Sequence, residues 1–118
     1  MSLLSLKDVI PPIPATFRGK ITFNGGNAPV GSILYAKITK PGLEDYWSDF
    51  VLPSPTEYVI AVAALTAKYE DGMIEFWLNN VKATVGPMSH SLKLSCKTYT
   101  SPVPRWYPND SCTADLTF

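Results

Sequence analysis

Histidine, cysteine and charge are all scarce in this chain of 118 residues. The single histidine, His90, has no second histidine with which to build a zinc site. The two cysteines, Cys96 and Cys112, lack a C-x-x-C spacing. A cysteine–histidine nucleophile pair is formally available in His90 and Cys96. On one strand the two would stand about 20 Å apart, too far for a hydrogen bond. The chain also lacks a glycine-rich phosphate loop and a nucleophile elbow. No catalytic residue, no metal and no cofactor is therefore expected.

Charged residues make up 17% of the chain, below the usual quarter or so. Ten basic and ten acidic residues cancel to a formal charge of zero. No basic patch stands out, so nucleic acid is not the expected ligand. With no net charge, little keeps copies of the molecule apart. No apolar run is long enough to cross a bilayer, and no membrane contact is expected. The first residues, MSLLSLKDVIPPIP, lack the basic start, long apolar run and cleavage site of a secretory signal. The chain is then cytoplasmic when made, or a mature form whose leader has been removed.

Helical periodicity is nearly absent as well, and period-two alternation takes its place. Phe17, Gly19, Ile21 and Phe23 alternate with Arg18, Lys20 and Thr22. Asn24-Gly25-Gly26-Asn27 then signals a turn, because these residues accept positive φ. Further strands are expected at 32–39, 46–52, 57–64, 73–78, 81–85, 91–98 and 113–118. A short helical turn is expected just after the fourth. Eleven prolines suit loops and edge strands. The expected fold is all-β, an Ig-like or jelly-roll-type β-sandwich of about eight strands.

Residues 1–15 read as an extended Pro-rich arm, and 16–118 as the sandwich domain. Leu3, Leu4, Leu6, Val9 and Ile10 make the arm apolar, and Pro11, Pro12 and Pro14 stiffen it. Such an arm packs along its own domain or lies on a neighbouring subunit.

The stretches FRGKITFNGGNAPVGSILYAKI, EYVIAV and DGMIEFWLNNVKA share a further layout. An aromatic-x-Gly, Phe17 and Gly19, opens the first strand. Ala28-Pro29-Val30-Gly31 enters the second. A late strand carries Gly72, Ile74, Phe76 and Leu78, then Asn79-Asn80 and Ala83. About half the chain thereby resembles the Ig-like or carboxypeptidase-regulatory-like β-sandwich repeat of prokaryotic surface proteins. Asn80 stands where that family usually carries glycine. The resemblance implies a non-catalytic sandwich for display, spacing or adhesion, and it transfers no catalytic residue.

Two acidic groups, Glu44-Asp45 with Asp49 and Glu70-Asp71, could offer calcium oxygens, but neither shows the alternating ligand pattern. They are read as solvated loop charges. Asn109-Asp110-Ser111 fits a glycosylation acceptor and is read as a turn.

The segment CKTYTSPVPRWYPNDSC, bounded by the two cysteines, carries the strongest interaction signal. A Cys96–Cys112 disulfide would close a loop of about 17 residues and stabilise by about 3 kcal/mol. Both could equally be buried thiols on neighbouring strands. Tyr99, Arg105, Trp106 and Tyr107 are of the types that dominate interface hot spots. Trp106 has an alternative, to fold back and cap the open end of the sandwich. Tyr46-Trp47 and Phe50 pose the same question, since alternation lets only some face the core.

The leading expectation is a structural or assembly subunit with protein partners, forming a homo-oligomer or larger symmetric assembly. A virion decoration or tail-associated protein, or a surface filament, would fit. The alternative is a carbohydrate-binding or adhesion module with a glycan partner. The expected location is a virion or the cell surface.

Overall fold

Period-two alternation produces strands here because each can bury one face and leave the other wet. The structure is a computed structural model and describes residues 11–90 and 103–118. Ten strand segments appear among these residues. They are β1 (Ala15–Thr22), β2 (Ile33–Thr39), β3 (Tyr46–Val51), β4 (Glu57–Val62) and β5 (Met73–Leu78). β6 (Val81–Lys82), β7 (Thr84–Val85), β8 (Ser89–His90), β9 (Ser111–Thr113) and β10 (Leu116–Thr117) complete the set. One 3-10 turn at Ala67–Tyr69 stands where the helical turn was expected. The chain is all-β, in two packed sheets.

The first sheet centres on β1. Its residues Ala15 to Lys20 pair antiparallel with β4. Its other edge runs parallel to β9, with Phe17 opposite Cys112, and then to β10, with Ile21 opposite Leu116. β7 and β8 pair antiparallel with β10 and β9. The second sheet has the order β3-β2-β5-β6, all antiparallel.

Phe17 of the first sheet meets Phe76 of the second edge-on, ring centres 5.5 Å apart. Tyr58 of β4 meets Phe76 from the side at 6.2 Å. Around them Ile21, Leu34, Ile38, Ile60 and Leu78 are buried. Each fully buried aliphatic chain of this kind contributes about 1.5–3 kcal/mol.

The turns follow their residue chemistry. Asn79 and Asn80 take φ of 48° and 63° between β5 and β6. These left-handed values are those of a two-residue hairpin turn, and asparagine tolerates them where glycine is usual. Asn24 and Gly25 likewise turn the chain at φ 51° and 76°. Gly19 answers a different need, for a Cβ there would collide with the Ala114 carbonyl of the neighbouring strand.

Two expected strands divide. The expected strand at 81–85 leaves β6 in the second sheet and β7 in the first, with Ala83 at the crossing. The expected strand at 113–118 breaks at Ala114 and Asp115, where Asp115 Oδ1 accepts from the Lys20 amide at 2.9 Å. Local alternation reports a strand's faces but not which sheet it joins. The expected strand at 91–98 lies outside the described residues.

Candidate functional site

The residues singled out between the two cysteines divide into three groups. Tyr99 and Cys96 lie outside the described residues, as do Leu3, Leu4, Leu6, Val9 and Ile10 of the arm. Nearer the domain, Ile13 O accepts from the Asn109 amide at 3.0 Å.

Trp106 is fully buried, 0% exposed, so it is a core residue and not a surface anchor. Its amide donates to Gly72 O at 2.8 Å, and its carbonyl accepts from the Asp71 amide at 2.8 Å. Its indole N–H reaches across to Val62 O. Segment 104–106 thus runs antiparallel to the start of β5, and the indole closes the gap between the sheets. Of the two readings open in the sequence, the inward one is what the side chain adopts. The reason is size: an indole is a large apolar surface with one donor to satisfy.

Arg105 and Tyr107 stay partly exposed, but both are tied to Asp71. Tyr107 Oη donates to Asp71 Oδ1 at 2.6 Å, and Arg105 Nη1 donates to Asp71 O at 3.0 Å. Arg105 Nε also lies 3.9 Å from Asp71 Oδ1. These contacts use Asp71 to hold the returning segment.

Cys112 is buried, and its thiol donates to Asp110 Oδ2 at 3.1 Å. Burial pushes the thiol pKa up, and the hydrogen bond and charge of Asp110 add to it. Its expected partner, Cys96, lies outside the described residues. Asp110 sits in a turn after Asn109, whose φ is 60°. The expected turn is there.

The exposed aromatic side chains cluster elsewhere, on the outer face of the second sheet. Alternation turns Tyr46 and Phe50 toward the core and leaves Trp47 out, half exposed. On β2, Leu34, Ala36 and Ile38 point in, so Tyr35 points out. On β5, Phe76 and Leu78 point in, so Trp77 points out. Register brings the three together. Tyr35 stands opposite Trp77 on one side and Asp49 on the other. The rings of Tyr35 and Trp47 meet at 6.1 Å and 88°, a right-angled corner.

Charged groups border this corner on the same face, with Lys37 opposite Trp47 and Asp49 opposite Tyr35. Lys37 Nζ lies 5.5 Å from the centre of the Trp47 ring, a cation–π distance. The same ammonium is 2.9 Å from Glu75 Oε1, and Lys82 Nζ is 3.1 Å from Glu75 Oε2. Trp77 Nε1 donates to Glu75 Oε1 at 3.3 Å. The hydrogen bond from Lys37 leads in lowering the Glu75 pKa to about 2, against partial desolvation, with help from Lys82 and Trp77.

The groove beside the corner has a volume of about 700 Å³, within the range of small-molecule sites. Its walls include Ser32, Ile33, Tyr35, Trp47, Trp77 and the Asn79-Asn80 turn. Trp47 was singled out in the sequence, whereas Tyr35 and Trp77 were not. The alternation that marks β2 and β5 already turns both outward, but only sheet register sets them side by side. The acidic residues form no group of three or more metal-ligating side chains among the described residues. No family model, no curated protein and no solved structure matches this chain.

Proposed function

We propose that this chain is a non-catalytic recognition module of the adhesion type. Its contact surface is the aromatic corner on the outer face of the second sheet. One observation carries the reading: Trp47 is half exposed, against Tyr35 and beside Trp77, on strands whose core is complete without them. Large exposed aromatic groups carry a hydration cost that a partner removes. Strands hold them rigidly, so little entropy is lost on contact. Kinship with Ig-like surface repeats is supported by Phe17-x-Gly19 and by the Asn79-Asn80 hairpin, and it suits display on a cell surface.

A second reading is assembly, as in a virion or a surface filament. Ile33 and Val51 stand opposite each other on the same face, and both are exposed. They lengthen the apolar area beyond a small ligand, which favours a second protein surface.

The test compares wild type with the Tyr35→Ala/Trp47→Ala variant. Binding to a polysaccharide panel and light scattering behind a sizing column are both measured. The melting temperature should stay within a few degrees, since both side chains are exposed. Loss of glycan binding or of self-association in the variant supports the corner as contact surface. A variant that behaves as wild type in both assays removes it.

A further inference from the structure

Resting on the recognition reading, we propose that the groove at Tyr35, Trp47 and Trp77 binds a single neutral pyranose unit. Three features of the site support this ligand class.

The first is ring geometry. A pyranose has a flat face of C–H bonds that lies well on an aromatic ring. Rings at 88° make a floor and a wall, not a long platform. A corner holds one sugar ring by its face and its edge. A run of stacked sugars would need aromatic groups lying in one plane.

The second is charge. The groove walls carry no carboxylate and no ammonium. On this face Lys37 and Lys82 lie 2.9 Å and 3.1 Å from Glu75, and Asp49, opposite Tyr35, adds a further carboxylate. An acidic sugar would meet Asp49 beside Tyr35 and would have to draw one of the two lysines from Glu75. A neutral ligand leaves the network intact.

The third is hydrogen bonding. Asn79 and Asn80 are exposed at the groove and present amide donors and acceptors, with Ser32 close by. Sugar hydroxyls, which both donate and accept, match amides and hydroxyls of this kind. The hairpin fixes the backbone from which the two side chains leave, because both asparagines take the left-handed conformation that the turn demands. A purely apolar partner would bury them without partners, at a cost.

The experiment titrates the full chain with the methyl pyranosides of glucose, galactose and mannose, and with glucuronate as the acidic probe. Tryptophan emission and saturation-transfer NMR report binding. Variants are Trp47→Ala, Tyr35→Ala and, as control, Val59→Ala on the outer face of the first sheet. The expected result is saturable binding of at least one neutral pyranoside, unchanged between low and high salt. Each aromatic substitution weakens it by about tenfold, and Val59→Ala leaves it as it was. Binding of glucuronate alone, weakened by salt, overturns the neutral-ligand claim and leaves the recognition reading standing. No sugar binding, with self-association that Trp47→Ala abolishes, overturns the sugar claim in favour of a protein surface. No sugar binding and no association that depends on Trp47 overturns both.

Discussion

Trp106 Nε1 donates to the carbonyl oxygen of Val62 at 2.8 Å, linking the segment beside β5 of the second sheet to β4 of the first. One hydrogen bond thereby ties the segment that follows Val103 to the last residue of β4. The indole around it is buried on all sides. Trp106→Ala should cost about 3–5 kcal/mol, from lost burial and the cavity left behind. Trp106→Phe should cost less, about 1–3 kcal/mol, for the lost hydrogen bond to Val62 O and the smaller ring. Urea unfolding of both variants checks the ranking. A Phe variant as unstable as the Ala variant would show that the hydrogen bond matters more than the volume.

Gly19 sits where β1 runs beside the β9–β10 break. Gly19→Ala should destabilise by about 2 kcal/mol or more, since its Cβ would strike the Ala114 carbonyl. Gly25→Ala is the comparison. It has open space at its Cβ but a φ of 76°, so it should cost about 1–2 kcal/mol through backbone strain alone. Gly19 also has a positive φ, 159°, so thermal unfolding of the pair shows what crowding adds to backbone strain.

Tyr58 and Cys112 set the alkaline limit. Burial raises the Tyr58 pKa, with the charges of Asp115 and Cys112 adding to it, and its hydroxyl donates to Ala114 O at 2.5 Å. Burial raises Cys112 too. Both groups bind their protons more tightly folded than unfolded. Their stabilisation is complete below the unfolded values, about 8.5 for cysteine and 10 for tyrosine, and is lost as pH rises beyond them. Unfolding free energy should fall above about pH 9. Tyr58→Phe should flatten that fall at its upper end. An unchanged profile in the variant would remove Tyr58 from the account.

Glu75 works in the opposite sense. Its pKa is lowered to about 2 in the folded chain, so its contribution is present above the usual value of about 4.3 and lost as pH falls toward 2. Glu75→Gln should be less stable at pH 7 by under about 1 kcal/mol, because the network is partly exposed. The two proteins should converge at the acid end. High salt should shrink the gap at pH 7, and a gap that ignores both pH and salt would point to packing instead.

Much of the fold was legible in the sequence because strand and turn signals are local. Tyr46, Glu57 and Met73 begin strands where alternation starts, and Asn79-Asn80 turns because only a few residues accept left-handed backbone. The division of 81–85 between two sheets was not legible. Alternation puts Val81, Ala83 and Val85 on one face, yet Val81 is exposed while Ala83 and Val85 are buried, because the two halves join different sheets.

Of the candidate site only Trp47 was legible in the sequence, as one of several aromatic residues that alternation lets face either way. Alternation places Tyr35 opposite in face to Ala36, Trp47 to Tyr46 and Trp77 to Phe76, but which member of each pair faces the core follows from the packing. Local pattern left Trp106 open between a contact surface and an inward position. Tertiary structure alone decided that Tyr35 lies between Trp47 and Trp77, and that Trp106 turns inward to Val62. Both depend on strand register and sheet closure, which bring together residues from distant parts of the chain. A period of two along one strand carries no information about what lies across the sheet.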